Sequence, residues 1–162
     1  MAQNCIHWGS RKMDAATAKK ANLVGAITAN AYMLLIIAVF TVRIVGQVEA
    51  GRWIGIVSSL VLIPLIYLFV VGLKTHRRAI YFAWLTLMSL FALLELIVDD
   101  TLQVDFRSVR WAVVPYVMFF FAATGGMIGV AAQAGKRWTR LTCAIFLIMA
   151  AMAFVQRGVT GM

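Results

Sequence analysis

Five apolar stretches, each close to 20 residues long and separated by short polar segments, constrain the fold of this chain more than any other feature. An α-helix needs about 20 apolar residues to cross the roughly 30 Å hydrocarbon core of a bilayer. Backbone amides in lipid must be bonded within their own segment, so each stretch should be helical. The sequence therefore predicts an all-α, polytopic integral membrane helical bundle with short loops. Its five transmembrane helices are expected at about residues 21–42, 53–73, 79–98, 111–132 and 138–156.

The composition agrees with a chain whose solvent is lipid. Hydrophobic residues make up 63% of the sequence and charged residues 13%, whereas soluble domains have about 45–50% and about 25%. We expect a basic cytoplasmic segment at residues 1–20, the bundle at 21–157 and a short outer tail at 158–162. The fifth run is the weakest span, because its most apolar part, Leu141 to Val155, has 15 residues. That segment is also compatible with a re-entrant or surface-lying arrangement.

The distribution of charge predicts an orientation. Of the 15 Lys and Arg residues, ten fall in the N-terminal segment and the second and fourth loops, and five fall on the other side. Cytoplasmic loops are enriched in Lys and Arg, and Asp14 is the one acidic residue on that side. Tryptophans prefer membrane interfaces, and Trp53 and Trp111 fall at the expected outer one. We predict a multi-pass protein of the cell (inner or plasma) membrane, with its N-terminus cytoplasmic and its C-terminus outside.

The formal net charge of +9 allows two classes of partner, nucleic acid or an anionic membrane surface. The basic residues form short clusters between apolar runs, which favours the membrane and argues against nucleic acid. We therefore expect the lipid bilayer, with anionic lipids at the cytoplasmic face, as a partner. A protein partner or a homo-oligomer stays open. Cys5 and Cys143 have no metal or redox spacing, and we predict no metal site and no cofactor.

An acidic cluster at the outer side is the most informative group of polar residues. Glu95 lies within the third predicted span, where an ionisable group is energetically expensive and often functional. Asp99 follows one helical turn later and shares its face, and Asp100 and Asp105 lie at the outer boundary. Three interpretations compete: a structural cluster of ion pairs, a cation or proton site on a transport path, and an acid/base pair. The expected partners in the first are Arg43, Arg107 and Arg110.

Two further features lie inside the predicted spans. Asn30 falls near the middle of the first span, where an amide needs a hydrogen-bond partner, usually across a helix interface. It could instead line a polar cavity. The fourth span contains Gly125, Gly126 and Gly129, and glycines at such spacing allow close helix packing. We expect these glycines to form a packing face within the bundle or toward a partner.

These features favour a small integral membrane protein without chemistry of its own. It would act as a scaffold, an accessory subunit or a partner- or lipid-binding protein, because polar residues within the spans are few and the loops are short. The alternative is a small transporter or an ion- or proton-conducting protein that uses Glu95 and Asp99. A membrane-embedded enzyme built on Glu95, Asp99 and Asp100 is a third interpretation. We predict no catalytic residue.

Overall fold

A computed structural model describes the backbone of residues 2–97 and 110–160, and the side chains of residues 15–47, 49–97 and 113–159. Within these residues the chain is helical and contains no β-strand. The predicted all-α fold class is confirmed. The elements are α1 (Ala2–Ile44), α2 (Val48–Ser58), a 3-10 turn (Ser59–Val61), α3 (Leu62–Lys74), α4 (Ala79–Glu95), α5 (Arg110–Ala132) and α6 (Lys136–Thr160).

Helix α1 is the central element of the bundle. It packs against α2, α3, α5 and α6, and buries a broad stripe of residues at helical spacing, including Ala26, Ala29, Met33 and Ile36. Alanine and glycine on this stripe let neighbouring helices approach closely. A Cβ added to Gly25 would lie 2.8 Å from Val130 Cγ1 of α5. The helix has 43 residues and begins at Ala2, well before the span expected from residue 21.

The second span is one helical rod with a tightened turn in its middle. Helices α2 and α3 are joined by the 3-10 turn Ser59–Val61. Pro64 lies just after this turn, and its ring cannot accommodate the carbonyl of residue 60 in regular α geometry. Ser58 and Ser59 donate their hydroxyls to the carbonyls of Gly55 and Ile56, at 2.6 and 2.7 Å. These bonds provide local partners where the backbone ladder changes from α to 3-10 geometry.

Helices α1 and α3 end in the same type of turn, but a different residue occupies the left-handed position in each. After α1, the amide of Gln47 donates to the carbonyl of Val42, and Gly46 adopts a φ of +84°. This is the Schellman arrangement, in which the left-handed position is usually glycine. After α3, the amide of Arg77 donates to Gly72 and the left-handed position is His76, with a φ of +47°. A side chain there costs energy that glycine would not.

The lengths and apolar character of the helices indicate a multi-pass membrane protein. Four segments are long and apolar enough to cross a bilayer: Ala15–Ile44, Glu49–Lys74, Val113–Ala132 and Lys136–Val159. The fifth, Ala79–Glu95, is apolar but has 17 residues within the described part of the chain. The expected count of five is therefore roughly matched. The segment expected to be weakest, α6, is a full 25-residue helix.

The interior is filled by aliphatic, aromatic and methionine side chains. Phe91 of α4 is fully buried, and its ring lies 5.6 Å from Phe119 and 5.5 Å from Phe120 of α5, centroid to centroid. Phe120 also meets Phe40 of α1 at 6.2 Å. The outward faces are apolar as well, with side chains such as Leu147 exposed. Such faces suit contact with lipid tails. The orientation of the bundle stays a prediction.

Candidate functional site

A carboxylate held by two tyrosines joins three helices inside the bundle. Tyr32 of α1 donates its hydroxyl to Glu95 Oε2 at 2.6 Å, and Tyr116 of α5 donates to Glu95 Oε1 at 3.3 Å. Glu95 is the last residue of α4. We call this group, Tyr32, Glu95 and Tyr116, the tyrosine–carboxylate clamp. Each carboxylate oxygen thus accepts a phenol from a different neighbouring helix.

The clamp lies deeper than the sequence indicated. Glu95 does not lie level with Ile44, the end of α1. It bonds instead to Tyr32, which lies near the middle of the 30-residue stretch Ala15–Ile44. The centroids of the Phe91 and Tyr116 rings lie 5.7 Å apart beside it, so the carboxylate borders an apolar aromatic surface. A carboxylate in such surroundings needs hydrogen-bond donors to offset its lost hydration, and the two phenols supply them.

Most of the predicted acidic cluster lies outside the described residues. This applies to Asp99, Asp100 and Asp105, and to Arg107; Arg110 begins α5, but its side chain is not described. The pairing of these residues with Glu95 therefore stays a prediction. Arg43 is half-buried near the end of α1, and its Cγ would lie 3.3 Å from a Cβ added to Gly51 of α2.

Asn30 is buried and only partly bonded. Its Nδ2 donates to the carbonyl of Ala26 at 2.7 Å, a bond within α1 itself. Its Oδ1 is buried and has no hydrogen-bond partner among the described residues. Two other buried polar side chains, Thr124 and Thr142, also donate to carbonyls one turn earlier in their own helices. The clamp, in contrast, consists of side-chain bonds between helices.

The three glycines of α5 do not share one role. A Cβ on Gly129 would lie 2.5 Å from two ring atoms of Trp84, and one on Gly126 would lie 3.1 Å from Trp84 Cδ1. The two glycines form a notch that receives the indole of α4. A Cβ on Gly125 would meet nothing within 4 Å. The close contact at this notch is therefore between a helix backbone and a tryptophan ring.

A second polar network lies at the end of the bundle that contains the α3–α4 and α5–α6 turns. Arg77, in the turn after α3, donates to Asn22 Oδ1 at 2.6 Å, to the Ala18 carbonyl at 3.4 Å and to Gln133 Oε1 at 3.3 Å. Asn22 Nδ2 donates to the Gln133 carbonyl at 2.8 Å. The guanidinium also lies 5.5 Å from the centroid of the Tyr81 ring. This network holds α1 and two loops together.

Sequence reasoning missed Tyr32, Tyr116, Trp84 and Arg77. The contacts of Tyr32 with Glu95 and of Arg77 with Gln133 join residues 63 and 56 positions apart, so no local pattern could reveal them. One usable signal existed: a carboxylate in a span requires a donor, and tyrosines are among the few donors within the other spans. Among the described residues, no group of three His, Cys, Asp or Glu side chains is placed to hold a metal ion.

Comparison with known proteins adds no assignment. No protein-family model matches the chain, and no significant relative is found among curated proteins or solved structures. The functional argument therefore depends on the geometry of the bundle.

Proposed function

We propose that this membrane protein acts as a scaffold or accessory subunit, a helical bundle without chemistry of its own that holds a protein partner within the membrane. The tyrosine–carboxylate clamp carries the proposal. Each oxygen of Glu95 accepts a phenol from a neighbouring helix, so the carboxylate serves to connect α1, α4 and α5. A bundle stabilised in this way presents a fixed outer surface.

The outward face of α6 is the favoured surface for a partner. Only 11% of the most apolar window of α6 is buried inside the bundle, compared with 44% for α1. Ile145 and Met149 turn inward, while Leu147, Ile148 and Phe154 are exposed. A membrane helix of a partner could pack on this face through van der Waals contacts, the main attraction between helices in lipid.

Photo-crosslinking from α6 tests the scaffold proposal. A photoreactive phenylalanine analogue at Leu147, which is 66% exposed, should form a discrete adduct with one membrane protein in intact cells. The same analogue at Met149, which is fully buried, is the matched control and should not. The partner should also co-purify with the unlabelled protein in mild detergent. A clean monomer, with only lipid adducts from Leu147, would contradict the proposal.

A second candidate function, ion or proton conduction, is favoured by one observation. Asn30 Oδ1 is buried without a described partner, in the same helix as Tyr32 of the clamp. Polar atoms on a conduction path commonly occur near the middle of a membrane protein. In liposomes, conduction predicts a proton or cation flux that Glu95→Gln abolishes. Equal flux with wild-type and variant protein would reject conduction and leave the scaffold proposal in place.

A further inference from the structure

Basic side chains converge at the end of the bundle where α3, α5 and α6 meet their turns. The hydrogen bonds of Arg77 to Ala18 and Gln133 place α1, the α3–α4 turn and the α5–α6 turn side by side. Seven other cations lie within a few residues of this junction and all are exposed. We call them the basic rim: Lys19, Lys20, Lys74, Arg78, Lys136, Arg137 and Arg140.

The basic rim is not neutralised within the described chain. Its side chains form no hydrogen bond or ion pair with described residues, whereas Arg77 uses its donors within the bundle. The acidic residues with described side chains, Glu49 and Glu95, belong to the other end of their helices. Among the side chains that the structure describes, no carboxylate lies beside the rim, and such a concentration of positive charge is a binding determinant for anions.

The apolar surface begins directly beside these cations. Leu73 precedes Lys74, Ile80 follows Arg78 closely, and Leu141 follows Arg140; the three apolar side chains are 66%, 53% and 48% exposed. Lys and Arg next to a lipid-facing surface extend their charged ends toward the head groups. Anionic head groups lie at this boundary between charged and apolar surface, so the position of the rim favours a lipid as its partner.

We propose that the basic rim binds the head groups of anionic phospholipids in the leaflet at that end of the bundle. The phosphate would be contacted by several rim cations at once, and the acyl chains would lie along the exposed apolar faces below them. Each Lys or Arg near an anionic membrane surface adds about 1 kcal/mol, or about fivefold in affinity. The inference does not depend on the protein partner proposed above.

Native mass spectrometry of the purified full chain, titrated in detergent with phosphatidylglycerol or phosphatidylcholine, tests this site. Wild-type protein should bind phosphatidylglycerol about fivefold or more tightly than phosphatidylcholine. Arg137→Glu should reduce that preference by about fivefold or more. Arg157→Glu is the matched control, because it changes the same residue type at an exposed position at the other end of α6. It should leave the preference within about twofold.

Two further conditions separate lipid binding from other sources of the signal. Raising the ammonium acetate concentration from about 0.1 M to about 1 M should weaken the preference, because the Debye length falls from about 10 Å to about 3 Å. Inorganic phosphate at the lipid concentration should not displace phosphatidylglycerol. The proposal is overturned if the wild type has no preference, if both variants lose it equally, or if phosphate alone competes. Far-UV circular dichroism should show that Arg137→Glu keeps the wild-type helical content.

Discussion

Adding one methyl group at Gly129 should destabilise the bundle, while the same change at Gly125 should not. A Cβ at Gly129 would lie 2.5 Å from Cη2 and Cζ3 of Trp84 and 2.7 Å from Cε3. In proteins, a Cβ atom essentially never lies closer than 3.0 Å to a heavy atom of another side chain. The indole is flat and rigid, and its other edge would lie 3.1 Å from a Cβ on Gly126. The ring therefore has little freedom to move aside.

The expected magnitude follows from two opposing terms. Overpacking of a filled interior costs about 1–3 kcal/mol. Replacing glycine by alanine within a helix contributes about 1 kcal/mol in the other direction. Gly125→Ala should show only the stabilising helix contribution, because nothing lies within 4 Å of its added Cβ. The helix term cancels between the two variants, so their difference of about 1–3 kcal/mol isolates the steric contact with Trp84.

Unfolding in mixed micelles, followed by far-UV circular dichroism, measures this difference. Gly125→Ala should be as stable as the wild type or more stable, and Gly129→Ala should unfold at lower denaturant. Trp84→Phe removes the six-membered ring of the indole that meets the new methyl group. Gly129→Ala should therefore cost less in that background, by about 1 kcal/mol or more. Equal stability of the two alanine variants would refute the close packing of Trp84 against Gly129.

Four further substitutions should separate structural from exposed positions, each measured by the same unfolding assay. Arg77→Lys should lower the free energy of unfolding by about 1 kcal/mol, because a lysine cannot span the contacts to Asn22 and Gln133. Arg78→Lys, at an exposed position, is the control and should change it by less than about 0.5 kcal/mol. Equal effects of the two substitutions would contradict a structural role of the Arg77 hydrogen bonds. His76→Gly should stabilise by about 1 kcal/mol, since its φ is +47°; a loss would show that the imidazole has a stabilising contact. Asn30→Leu should be neutral or stabilising by up to about 2 kcal/mol, because it removes an unbonded buried oxygen; a large loss would indicate a polar partner for Asn30.

The number and type of elements could be predicted from the sequence because hydrocarbon thickness fixes the length of an apolar helix. The runs around Tyr32 and Phe120 therefore identified their helices directly. The length of α6 was less predictable. The apolar part of α6 is short, but its flanking Lys136 and Arg157 are part of the helix, since such side chains tolerate helix ends by extending toward water.

The candidate site could be predicted only in part. Glu95 was identified because a carboxylate in a span is rare and expensive. Its partners were not, because the contact depends on how far α4 reaches along α1 and on the rotation of both helices. The glycines of α5 were recognised as a packing feature, but the sequence could not indicate that an indole would occupy the notch. Contacts of this kind are decided by side-chain packing between helices distant in sequence.

The most direct measurement of the account is the coupling energy between Tyr32 and Glu95. Stability is measured for Tyr32→Phe, Glu95→Met and the double variant, with Tyr116→Phe and Glu95→Met as a parallel cycle. The account predicts a favourable coupling of about 1–3 kcal/mol for Tyr32, whose bond is 2.6 Å long, and a smaller one for Tyr116, whose bond is 3.3 Å long. Additive effects of Tyr32→Phe and Glu95→Met would contradict a carboxylate that connects the helices.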